Sequence, residues 1–203
     1  MPSIKTLTPL LGGSYYHIFN RGINRQLLFF QERNYIHFLD LLKKYLIDYV
    51  DVMAYCLLPN HFHLVIKIRD IILIKDDIPA LKSEEEIGKF ISNQFRKMFV
   101  AYTMAINKQE QRTGNLFDRS FKRLEITEQE YLQYVIFYSH YNPEKHGLTN
   151  DFKSFRFSSY SAFLSSQTTS ISRDLVFELF DGKSGFINYH NVMHEEHEAV
   201  ILE

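Results

Sequence analysis

Apolar positions along the chain change period several times, and each change predicts an element. Residues 15–19 are aromatic and apolar and stop at Asn20-Arg21-Gly22, predicting a strand that ends in a turn. From about Arg33, the residues Tyr35, Ile36, Leu39, Leu42, Tyr45 and Leu46 recur at three- and four-residue spacing, the signature of an amphipathic helix. Residues 51–58 predict a second strand, Pro59-Asn60 a break, and 62–68 a third strand, together an antiparallel hairpin. Residues 71–82, with Asp76-Asp77 and Pro79, read as a loop. Ser83, with Glu86 three positions on, forms a capping box ahead of the stripe Ile87, Phe90, Ile91, Phe95, Met98, Tyr102 and Ile106. Residues 116–126 predict a fourth strand, with Phe117 and Phe121 on one face.

Thr127, with Glu130 three positions later, predicts the cap of a last core helix running to about Tyr141. On it Leu132, Val135, Ile136 and Ser139 share one arc, and Tyr131, Tyr134, Tyr138 and Tyr141 the next. His140 points nearly opposite Tyr138. Beyond Phe152 the chain predicts a loop over 155–160 and one or two short helices. The order strand, helix, strand, strand, helix, strand, helix predicts an α+β fold. Its form is a ferredoxin-like antiparallel sheet with helices packed on one face, plus a C-terminal helical extension. Residues 1–164 form the main domain and 165–203 the extension with its acidic tail.

Composition narrows the setting. The single cysteine, Cys56, excludes an internal disulfide and a cysteine-built zinc site. No run of 18 apolar residues and no charged-then-apolar leader occurs, so the expectation is a cytoplasmic chain with no membrane partner. Net charge is −1, but 96–123 holds seven basic residues against two acidic ones. Arg96, Lys97, Arg112, Arg119, Lys122 and Arg123 thus form a local basic patch, suited to nucleic-acid phosphates or to a solvated face. Arg21, where a strand gives way to a glycine turn, is a second candidate for phosphate.

The candidate chemistry lies in the third strand. His61 and His63 are two residues apart, so they point to one face and Phe62 to the other. Two neutral imidazoles on one face can share a divalent metal ion. His190, His194 and His197 could line a helix face, but in a glutamate-rich terminus they read as a solvated tail. His17, His37 and His146 read as structural or exposed.

Four stretches in this order resemble one family. They are Tyr16-His17-Ile18-Phe19-Asn20-Arg21-Gly22, the segment Tyr55-Cys56-Leu57-Leu58-Pro59-Asn60-His61-Phe62-His63-Leu64, the segment 114–123, and Tyr138-Ser139-His140-Tyr141-Asn142-Pro143 with its continuation to Leu148. Over most of 14–164 the chain is similar to the HUH-type single-tyrosine transposases, in the REP-associated tyrosine transposase branch. Residues 155–160 resemble a following element, with Phe157 where tryptophan is usual. The resemblance implies an enzyme that cuts and rejoins single-stranded DNA, often beside a hairpin, as a monomer or homodimer. Carried over, Tyr138 is the nucleophile, and His61, His63 and Asn142 hold the metal, magnesium or manganese. Asn142 precedes Pro143, so a helix cap is an equal reading of that position.

The chemistry so implied is phosphoryl transfer to a tyrosine, giving a 5′-phosphotyrosine and a free 3′-OH without ATP. A phenol ordinarily titrates at about 10, so its proton needs help to leave, and the sequence shows no dedicated base. Two other classes compete. A non-catalytic single-stranded nucleic-acid-binding module would use the same aromatic-rich sheet without metal or tyrosine. A metal hydrolase would use water as nucleophile but lacks a carboxylate ligand near the histidine pair.

Overall fold

The computed structural model describes residues 8–70, 83–118 and 120–201, with side chains described to residue 197. The expected loop at 71–82 and the candidate Arg119 lie outside the described residues.

Strand β1 (Tyr15–Arg21) leads through a short 3-10 turn into helix α1 (Glu32–Leu46). The helix starts where Asn34 Oδ1 accepts from the Gln31 backbone N–H at 2.9 Å, closing a capping box. Strands β2 (Val50–Leu58) and β3 (His61–Ile68) follow as a hairpin turned at Pro59-Asn60. Helix α2 (Glu84–Gln109) begins as expected at Ser83, whose hydroxyl accepts from Glu86 N at 3.3 Å. Strand β4 (Lys122–Ile126) completes one antiparallel sheet of order β2-β3-β1-β4. That order, with a helix crossing after β1 and after β3, is the ferredoxin-like arrangement.

Strand β4 is shorter than expected. Phe117 and Phe121 pack on the same ring, Phe99, at 5.1 and 5.5 Å. In a straight strand two residues four apart stand about 13 Å apart along the chain, so the segment bends between them. Among the described residues before Lys122, Phe117 forms an isolated bridge with Gly22.

Helices cover both sheet faces, not one. Helices α1 and α2 bury Tyr16, Ile18, Phe62, Leu64 and Ile66 on the first face. Helix α3 (Gln129–Lys145) lays Leu132, Val135 and Ile136 over Ala54, Val65 and Ile126 on the second. Helices α4 (Tyr160–Leu164), α5 (Arg173–Leu179) and α6 (Lys183–Ile201) add Phe163, Val176 and Phe186 to that second core. A sheet whose central strands carry apolar residues on both faces must be covered twice. The C-terminal part is three helices, one of them 19 residues long, where one or two short ones were expected.

The chain after α3 also closes the β2 edge. Leu57 N donates to Phe157 O, Ser159 N to Tyr55 O and Ser172 N to Val52 O, each at 2.9 Å. The start of α3 differs too: its cap position is Glu128, and the Thr127 hydroxyl turns to the Glu128 carboxylate at 3.4 Å.

Candidate functional site

Alternation along β3 puts His61 and His63 on the second face, while Phe62 is buried in the first core. Alternation along β1 does the same for His17 and Phe19, and the register pairs Phe19 with His63 and Arg21 with His61. His17 Nε2 therefore lies 2.8 Å from His63 Nδ1, with the rings stacked. His61 Nδ1 is 2.7 Å from Asn60 Oδ1, and the Asn60 amide nitrogen donates to Arg25 O. An amide oxygen only accepts, so His61 carries its proton on Nδ1 and keeps a lone pair on Nε2. A cavity of about 520 Å³ opens on these rings, lined also by His146, Arg21, Arg25 and Lys122. Gly22 is required at its edge, because a β-carbon there would overlap the carbonyl of Gln26.

Helix α3 brings the tyrosine. Half-buried Tyr138 stands edge-on to His63, ring centroids 5.9 Å apart. Lys145 Nζ donates to its hydroxyl at 3.3 Å and sits 4.7 Å from its ring centre. His146, the next residue, packs edge-on to His61 at 4.9 Å. The helix does not stop at Asn142. It runs through Pro143 to Lys145, so Asn142 is an interior residue and the cap reading fails. Its side chain is fully buried, its nitrogen donates to the Tyr138 carbonyl, and its Oδ1 has no partner among the described residues.

Burial dominates the electrostatics. It pushes His61 down to about 4, helped by His146 and Arg21, and His17 down to about 4. Burial, with His17 next, holds His63 well below the ordinary histidine range. Desolvation lowers His146 as well. The imidazoles are therefore neutral at pH 7, the form in which they ligate metals. Among the described residues no three of His, Cys, Asp and Glu come together as a metal group. The neutral imidazoles of His61 and His63 and the orphaned, buried Oδ1 of Asn142 are each of a donor type that a divalent ion takes, and a buried acceptor without a partner is costly.

The expected phosphate-binding residues divide. Arg21 lines the cavity and pairs through Nε with Asp118 Oδ2 at 3.2 Å. Lys122 also lines it, over the Phe19 ring at 5.8 Å. Arg96 and Arg123 face a second groove beside it. Arg112 donates to Gln26 and to the Asn115 carbonyl, and neither it nor Lys97 lines either cavity. Sequence reasoning missed His17, Arg25, Lys145 and His146. Lys145 had a signal: seven residues after Tyr138 is about 20° off on a helical wheel.

His140 is not at the site, as expected. It is fully buried, with Nδ1 2.8 Å from His190 Nε2 and Nε2 2.7 Å from Ser159 Oγ. The reading of the terminal histidines as a solvated tail is wrong. His190 is fully buried and donates from Nδ1 to Phe186 O at 2.8 Å. His194 meets Glu144 Oε1 at 2.6 Å, and His197 stacks on Phe137 and Tyr141. The apolar arc of α6, anchored by Phe186, turns these histidines onto α3.

No helix among the described residues is long and apolar enough to cross a membrane. No family model matches the chain, and no curated protein matches it. Among solved structures, the fold is similar to a REP-associated tyrosine transposase bound to a REP hairpin. The TM-score is 0.57 at 17% identity, covering 82% of this chain and 93% of the other.

Proposed function

We propose that this protein nicks and rejoins single-stranded DNA through a covalent intermediate on Tyr138. The observation that carries the reading is the meeting of a phenol, a lysine and a histidine pair at the rim of a cationic cavity. The similar fold of a transposase that binds a DNA hairpin supports the substrate class.

Tyr138 Oη attacks the phosphorus of a phosphodiester. The Oη–P bond forms, the P–O3′ bond breaks, the phenol gives up its proton and the departing 3′ oxygen takes one up. Lys145 holds the hydroxyl at 3.3 Å and opposes the negative charge of the phenolate as the proton leaves. Lys122 and Arg25, with Arg21 beside its Asp118 partner, hold the phosphate on the cavity wall. His17 and Asn60 fix the ring orientations of His63 and His61. A divalent ion on His61, His63 and Asn142 would supply Lewis-acid polarisation of the phosphate. The reverse reaction, attack by a 3′-OH on the phosphotyrosine, rejoins the strand with no external energy.

The test uses single-stranded oligonucleotides from both flanks of the gene. They are incubated with wild type and Tyr138→Phe, with manganese or EDTA, and run on a denaturing gel. A protein–DNA adduct that needs both Tyr138 and metal is expected. Salt-sensitive binding with no adduct would replace this reading by a non-catalytic binding module.

A further inference from the structure

A groove of about 610 Å³ runs beside the histidine cavity, between α2 and residues 115–117 and 120–123, and shares Asn20 and Ser120 with it. Its floor is aromatic. Phe117 and Phe121 pack on Phe99, at 5.1 and 5.5 Å between ring centroids. Its α2 wall carries Met104, which is 68% exposed. Single exposed apolar residues are ordinary, but one on the lip of an aromatic floor widens an apolar patch.

The charge in the groove is one-sided. Arg96 and Arg123 line it, and among the described residues no carboxylate does. Arg123 is half-buried, with its guanidinium 5.5 Å from the Phe121 ring centre. One of its terminal nitrogens donates to Ser92 Oγ at 2.7 Å, and its Nε has no partner among the described residues. A partly desolvated cation without an acid partner is costly until an anion reaches it. An aromatic floor, its rings inclined at 63° and 49° to Phe99, beside a guanidinium with no acid partner among the described residues matches a nucleotide, whose base packs on an aromatic ring and whose phosphate takes charge-assisted hydrogen bonds. Bases within a duplex do not present their faces to such a floor, so the nucleotide is unpaired.

We propose that this groove holds an unpaired nucleotide of the DNA strand next to the one in the histidine cavity, with its base on Phe117 and Phe121 and its phosphate on Arg123 and Arg96. The inference rests on the single-stranded DNA reading above. It gives that strand a direction across the protein, from the cavity through Asn20 and Ser120 into the groove.

The test uses full-length Tyr138→Phe protein in EDTA, so that binding is read without strand cleavage. Flanking-sequence oligonucleotides carry 5-iodouracil at one position each, are irradiated, and the crosslinked residues are mapped by mass spectrometry. Crosslinks to Phe117 or Phe121 are expected from one narrow window of positions. In fluorescence anisotropy, adding Arg123→Gln should weaken binding about tenfold and reduce the salt slope by about one. Adding Met104→Glu, at an exposed position, should weaken binding about as much without touching the fold. Unchanged affinity in both variants, with crosslinks only on residues of the histidine cavity, overturns the groove and leaves the single-stranded DNA reading intact. Absence of binding by the parent protein overturns both. Crosslinks on Phe117 together with no wild-type adduct would keep the groove and remove the nicking chemistry.

Discussion

Lys145 Nζ lies 3.3 Å from the Tyr138 hydroxyl and under 5 Å from its ring, at 4.7 Å. Its N–H donates to the oxygen on which charge would develop as the proposed bond to phosphorus forms. Lys145→Ala should lower the rate of adduct formation at saturating DNA by about 10- to 100-fold. Lys145→Arg should recover much of the loss. Single-turnover gels at several DNA concentrations separate this from weaker binding, which would move the half-saturating concentration instead.

Asn142 Oδ1 is a buried acceptor without a partner among the described residues. Leucine has nearly the same shape and no polar atom to desolvate. Asn142→Leu relieves the orphaned oxygen but loses the bond to the Tyr138 carbonyl, so the metal-free protein should stay folded within about 1 kcal/mol of wild type. On the proposed metal site manganese should raise the Tm of wild type and not of the variant. Thermal unfolding with and without manganese checks both halves.

His17 backs His63 without itself lining the cavity. Losing such a supporting partner typically costs about 10- to 100-fold in metal affinity. His17→Ala should show that loss in a manganese titration by calorimetry, with the cavity ligands themselves unchanged.

His190 sets a pH dependence. Burial pushes it down to about 3 in the folded protein, against about 6.5 in the unfolded chain. Below pH 6.5 the unfolded state binds a proton that the folded state refuses, so stability falls as pH drops from about 6.5 toward 3. Between pH 7 and pH 5 this one group should cost about 2 kcal/mol. Urea unfolding in EDTA at the two pH values measures it, and His190→Gln should flatten the slope.

His194→Ala tests the clamp on α3. It strips a partly buried partner from Glu144, whose other oxygen accepts from Phe152 N at 2.9 Å. The expected loss is about 2 kcal/mol, a fall in Tm of about 5 °C.

The parts of the site that depend on local periodicity were legible. His61 and His63 share a face because strand side chains alternate, and no partner strand is needed to know it. Tyr138 was different: four tyrosines lie on one helical arc, and only the resemblance singled it out. His17 was illegible for a physical reason, since its meeting with His63 depends on the β1–β3 register, which local sequence does not encode. The terminal histidines read as solvated from the glutamates around them, whereas the apolar arc through Phe186 turns them inward. Asn142 misled through Pro143, whose missing N–H usually ends a helix, whereas packing on the second sheet face carries α3 past it.

The hydrogen bonds between β2 and Phe157, Ser159 and Ser172 bear on how the molecule avoids sticking to itself. An open sheet edge is a template on which any stray strand can grow. One side of this sheet has been sealed by the chain's own later segments. The other ends in five-residue β4, where Lys122 and Arg123 would face their own copies across a new pairing. Short length and like charge are the defences of a natural edge. The cations that suit this strand to a polyanion thus also discourage fibril-like growth, and neutralising them should raise the tendency to aggregate.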